Sequence, residues 1–158
     1  MKTLTHIDEQ GNASMVEVGD KEVTEREAIA EGFIQLSPEA YAAITEGRVK
    51  KGDVLAVAQL AGIQAAKRTA EWIPLCHPLP LTGVKVQVTA IGQGRVRAWA
   101  RVRCTWKTGV EMEALACVSA ALLTVYDMVK AVDKGPVLGP IQLLEKRGGR
   151  SGEWLRAR

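Results

Sequence analysis

The chain has 158 residues, of which 47% are hydrophobic and 25% charged, with a net charge of +3. That size suits one domain with a single adequate core, and the mild positive charge favours a small anionic ligand without requiring nucleic acid. Three cysteines, Cys76, Cys104 and Cys117, have no CxxC spacing, which argues against a disulfide framework. With no signal-peptide pattern at the start, the cytoplasm is the expected location.

Residues 1–24 alternate weakly and read as an N-terminal arm, held loosely, with strand character only at Met15-Val16-Glu17-Val18. His6 reads as a surface residue. Residues 25–158 are expected to form one domain. From Glu25 to Leu36 apolar residues fit both a period of two and a helical turn. Ser37-Pro38-Glu39 then makes a helix start, a capping serine before a first-turn proline. A strand over 25–36 and a helix over 38–46, stopped by Gly47, follow.

Asp53 is placed to cap a helix from Val54 to about Lys67. Its small residues Ala58, Ala61, Gly62, Ala65 and Ala66 predict close packing on a neighbour. Pro74, Pro78 and Pro80 exclude regular structure over 73–79. Two strands follow. Val84, Val86, Val88 and Ala90 line one face of the first, and Gly92-Gln93-Gly94 makes the turn. The second carries Val96, Ala98, Ala100, Val102 and Cys104 on one face and Arg95, Arg97, Trp99, Arg101 and Arg103 on the other.

The stretch Gly109–Lys134 has only Ser119 and Thr124 as polar residues between Ala114 and Tyr126. A helix apolar on nearly every face is a core helix, and an apolar run of about thirteen residues is too short to span a bilayer. Gly135-Pro136 and Gly139-Pro140 read as breakers, and Ile141–Glu145 as a last short strand. The order is that of a split β-α-β-β-α-β domain, an α+β fold with an antiparallel sheet and helices on one face.

Chemistry is expected at both ends of the central helix. Glu111 and Glu113 fall in its first turn, where carboxylates suit the helix dipole. Asp127 and Lys130 share a face near its other end, either as a simple ion pair or with Lys130 desolvated enough to titrate near neutrality. Glu113 and Asp127 lie within about 40° on one face yet roughly 21 Å apart along the axis. One small reaction centre cannot easily use both from one chain, so a shared site in an oligomer is expected. Lys51, Lys67 and Lys146 stand at element ends. Cys76 and His77 lie in the proline-fixed loop, where adjacent residues on extended chain point apart and no second Cys/His group completes a zinc site. The arginine face of the sheet suggests RNA binding as an alternative, but the strands lack a paired aromatic platform.

The segments KGDV (51–54), AGIQAAKRT (61–69), IPLCHPL (73–79), GVEMEAL (109–115), YDMVKAVDKG (126–135) and GPIQLLEKRGGRSG (139–152), with the opening LTHIDEQGNASMVEV, resemble the cyclic pyranopterin monophosphate synthase family of molybdenum cofactor biosynthesis. The resemblance covers essentially the whole chain. It implies a ferredoxin-like fold and a homohexamer, a trimer of dimers with active sites at dimer interfaces. It also implies a lyase that converts the cyclised dihydro-GTP made by an upstream radical GTP cyclase, releasing pyrophosphate. By motif, Asp127 would be the catalytic acid/base, with Lys51 and Lys130 assisting proton transfer. Leu75, Cys76, His77, Met112, Glu113 and Glu111 would line the substrate pocket, and Lys67, Arg26 and Lys146 would meet the phosphates. No tightly bound cofactor, protein-held metal, nucleic acid or membrane is implied, although magnesium accompanying the pyrophosphate group is compatible. Pro136 and Arg147 depart from the family pattern, which bears on the local path of the last strand.

Overall fold

The computed structural model describes residues 4–157. Its first strand, β1 (Thr24–Gln35), has the period-two pattern, with Ala28, Ala30 and Ile34 fully buried on one face. Helix α1 (Pro38–Thr45) begins as the sequence predicts: the Ala40 N–H donates to Ser37 Oγ at 3.2 Å. Helix α2 (Val54–Lys67) is capped likewise, the Ala56 N–H donating to Asp53 Oδ1 at 3.1 Å. A four-residue turn of helix, α3 (Thr69–Trp72), precedes the proline-fixed loop. Next come β2 (Leu81–Gly92), β3 (Arg95–Trp106), the central helix α4 (Glu111–Val129), β4 (Val137–Arg147) and a two-residue β5 (Trp154–Leu155).

The strands form one antiparallel sheet in the order β2-β3-β1-β4-β5. The first four reproduce the split β-α-β-β-α-β arrangement expected, an α+β fold with α2 and α4 packed on the sheet. Helix α4 is long and apolar enough by composition to cross a membrane. Here its apolar side chains, among them Val118, Leu122 and Val125, are buried in the core. Two glycines set how close the layers come. A Cβ at Gly62 of α2 would meet the Cys117 carbonyl oxygen at 3.0 Å, and one at Gly32 of β1 would meet Leu122 Cδ1 at 2.8 Å. The small residues of α2 therefore do what the sequence suggests: they let it run against α4.

Several boundaries differ from the sequence reading. Strand β4 begins at Val137 rather than Ile141, and the Gly139-Pro140 pair lies within it. A register irregularity on β1 between Gly32 and Ile34 faces that pair, which is where a strand tolerates a residue without an N–H. Strand β2 extends beyond Val84–Ala90 at both ends, pairing with β3 from Leu81 opposite Cys104 to Gly92 opposite Arg95. Helix α4 stops at Val129, so Lys130 is its C-terminal cap and not an interior residue. Met15–Val18 is extended but joins no ladder. Of the two departures from the family pattern, Pro136 directly precedes β4, and Arg147 pairs with Glu145 and, at 3.1 Å, with Glu153.

The other face of the sheet carries the arginines, and acidic partners meet two of them. Arg97 Nη2 lies 2.7 Å from Glu31 Oε2, Arg103 pairs with Glu27, and Arg95 stacks 4.3 Å from the Phe33 ring centroid. Gln142 also donates to Glu31. Cross-strand pairs neutralise Arg97 and Arg103, and nothing in the face supports the RNA-binding alternative.

Candidate active site

Helix α4 carries ionisable groups at both ends and buries most of the side chains between, Leu123 being the exposed exception. At its C-terminal end Asp127 accepts from two lysines. Lys51 Nζ lies 3.0 Å from Asp127 Oδ2 and donates equally to the Asp127 main-chain oxygen. Lys130 Nζ lies 2.8 Å from Oδ1. Lys51 reaches this point because the turn before α2 brings the start of that helix alongside the end of α4. The Tyr126 hydroxyl, donating to the Lys134 carbonyl oxygen at 2.8 Å, closes the turn that follows.

The two ammonium groups, Lys130 first and Lys51 second, hold the Asp127 carboxyl below the usual carboxylate range. Asp127 in turn raises Lys130 above the ordinary lysine range. Of the two readings of Lys130 the structure therefore supports the ion pair: the side chain is about half exposed, and its partner outweighs any desolvation. At neutral pH this cluster is one carboxylate bridging two ammonium ions.

At the N-terminal end Glu113 is 4% exposed, the one buried carboxyl among the described residues. Burial pushes its carboxyl up to about 7. Its own main-chain N–H offsets part of the shift, and the Glu111 carboxylate adds to it. Glu113 lines a cavity of about 330 Å³ with Leu75, Cys76, His77, Glu111 and Met112. The proline-bearing 73–80 loop brings Leu75, Cys76 and His77 to one cavity, which corrects the expectation that adjacent residues here point apart. Burial, then the Glu113 carboxylate, raise the Cys76 thiol, so Cys76 contributes a neutral thiol and not a nucleophilic thiolate.

A second cavity, of about 500 Å³, adjoins the first; Lys21, Thr108, Gly109 and Glu111 line both. Arg26, Lys107, Lys146 and Arg150 make it cationic. Arg26 is brought there by β1 and backed by the loop after β4. At Gly148 and Gly149, φ is +95° and +78°, and a Cβ at either would run into Glu25 or Arg26. The buried Arg26 Nε has no hydrogen-bond partner among the described residues. Lys146 is tethered to the Ser151 hydroxyl. Such a basin suits a multiply charged anion.

The residues singled out from sequence thus fall into three groups. Asp127, Lys51 and Lys130 touch one another. Leu75, Cys76, His77, Glu111, Met112 and Glu113 share one cavity, and Arg26 and Lys146 share the next. Lys67 is exposed at the end of α2 and lines neither cavity. Sequence reasoning passed over Lys21, Lys107 and Arg150. Lys107 and Arg150 adjoin the GVEMEAL and EKRGG stretches, a position that could have drawn notice. Among the described residues no three His, Cys, Asp or Glu side chains converge as a metal site.

Asp127 and Glu113 occupy a single uninterrupted helix fourteen residues apart, so about 21 Å separates the two clusters along its axis. The two clusters of one chain are therefore spatially separate.

Comparison with known proteins agrees with these motifs. A family model described as MoaC family matches residues 15–149. A cyclic pyranopterin monophosphate synthase of Thermomicrobium roseum is 58% identical over 157 residues, covering 99% of this chain and 95% of the relative. Proteins of the same name from Brevibacillus brevis and Chloroflexus aurantiacus are 55% and 57% identical, covering 97% and 98% of this chain and 96% of each relative. By its match to the family model and its identity to relatives along nearly its full length, the chain belongs to the MoaC family.

Proposed function

We infer that this chain is an enzyme, a lyase that synthesises cyclic pyranopterin monophosphate in molybdenum cofactor biosynthesis, as the names of its relatives say of them. The observation that carries the reading is the joined pair of cavities, one cationic and one lined by Cys76, His77 and Glu113. A substrate with a heterocycle at one end and a triphosphate at the other fills both. Cyclised dihydro-GTP, the product of a radical GTP cyclase, has that form.

The chemistry follows from the groups available. Opening and reclosing a purine-derived ring moves protons more than once, which calls for paired acids and bases. Glu113, near neutrality, gives or takes a proton at working pH. Asp127 accepts protons as a carboxylate, and Lys51 and Lys130 stabilise its charge and donate. Attack of the sugar hydroxyl on the innermost phosphorus forms the cyclic phosphate and expels pyrophosphate, whose growing charge Arg26 and Lys146 stabilise. The orphaned Arg26 Nε supports this assignment. The basin offers mostly ammonium and guanidinium groups, which do not fit a resident magnesium; such an ion would arrive with the phosphates.

The separation of Asp127 from Glu113 supports a composite site. In this reading the Asp127 end of one chain closes over the Glu113 end of another, as in a dimer within a hexamer. A cytoplasmic location is consistent with three free cysteines.

The test is turnover of cyclised dihydro-GTP, following pyrophosphate and the pyranopterin product, beside Asp127→Asn and Lys51→Ala. Product from the native chain, with both variants folded but nearly inactive, is expected. A folded native chain without product overturns the reaction, and a fully active monomer overturns the composite site.

A further inference from the structure

The N-terminal arm belongs to the cavity. Residues 7–14 form a small hairpin: Ile7 bridges Ala13, the Ser14 N–H donates to the His6 carbonyl oxygen at 2.9 Å, and Asp8 Oδ1 accepts from the Asn12 N–H at 2.8 Å. Farther on, Lys107 Nζ donates to the Gly19 carbonyl oxygen at 2.6 Å and ties the arm to the connection between β3 and α4. The result is that Thr5, His6, Val16, Val18 and Lys21 line the cavity together with Cys76, His77 and Glu113. The chain has two histidines, and both face this one space from different parts of the sequence.

We propose that the arm is the outer wall of the substrate cavity and that His6 contacts the bound heterocycle across from His77. The identity of the heterocycle rests on the reaction inferred above; the wall itself rests on the geometry. A purine-derived ring system presents hydrogen-bond donors and acceptors along its edges, and a neutral imidazole offers one of each. Val16 and Val18 supply apolar surface beside those edges. Lys21, shared by both cavities, stands where the heterocycle passes into the phosphates. His6 is itself exposed, so its replacement leaves the core untouched.

The experiment uses the full chain with both imidazoles observed by NMR and GTP as the probe. His6→Gln identifies the His6 signal. Both signals are expected to shift with GTP and to saturate at the same midpoint. A shift of His77 alone, or of neither, overturns the proposal. Kinetics with cyclised dihydro-GTP supply the second readout. His6→Ala is expected to raise KM about tenfold, the worth of one hydrogen bond, with kcat nearly unchanged and with recovery in His6→Gln. An unchanged KM overturns the contact. A native chain that turns nothing over, while both imidazoles respond to GTP, keeps the wall and overturns only the reaction.

Discussion

Asp127 and Lys51 come from segments 76 residues apart, yet Lys51 Nζ sits 3.0 Å from both the carboxylate and the main-chain oxygen of Asp127. The lysine thereby fixes where the carboxylate stands at the end of α4, while Lys130 holds its other oxygen from the next turn. The arrangement is charged and open to solvent.

Removing either lysine is expected to raise the Asp127 pKa toward the ordinary carboxylate range, more in Lys130→Ala than in Lys51→Ala, following the order of the two influences. Carboxylate NMR across an acid titration reads this directly. Asp127→Asn is expected to lower kcat by about 100- to 10,000-fold, the range for loss of a positioned acid or base. A loss under about threefold would remove Asp127 from the chemistry.

Glu113 links stability to pH. Its carboxyl keeps its proton to about 7 in the folded chain, against 4.5 as its ordinary value. Between these values the folded chain binds more protons than the unfolded one, so this group makes stability fall as pH rises. Glu113→Gln is expected to flatten that fall and to be more stable than the native chain at pH about 8, by roughly 1–3 kcal/mol. Denaturant unfolding at several pH values checks it, and equal pH dependence in the two chains would contradict the burial argument. The same substitution is expected to remove a limb near neutrality from the pH profile of kcat/KM.

Gly62 sets the spacing of the two main helices. In Gly62→Val the new Cβ meets the main-chain oxygen of Cys117, which cannot rotate away. A destabilisation of about 1–3 kcal/mol is expected, read from the denaturation midpoint. Gly→Val at Gly47, which has open space but a φ of +66°, separates backbone strain from crowding.

Gly149 controls the guanidinium of Arg26. A Cβ there runs into Arg26 Nη1, and φ is +78°. Gly149→Ala is expected to displace Arg26 and weaken pyrophosphate binding by about tenfold, the loss of one hydrogen bond to a charged group. Isothermal titration with pyrophosphate measures it. Unchanged affinity would place the phosphates away from Arg26.

Much of this was legible in the order of residues. Local rules sufficed for the strand faces, for the caps at Ser37 and Asp53, and for the buried course of α4, because each depends on neighbours a few residues away. The separation of Glu113 from Asp127 also follows from helical rise alone. Other features depend on what lies across the fold. Pro140 falls inside a strand because β1 carries an irregularity opposite it, and Asp127 gains its second ammonium partner from Lys51, 76 residues away. The cationic basin gathers Lys21, Arg26, Lys107, Lys146 and Arg150 from separate segments, and His6 and His77, 71 positions apart, line one cavity. Sequence determined which groups exist and which way each element faces. Tertiary packing alone decided which of them meet, because charge and desolvation act through space and not along the chain.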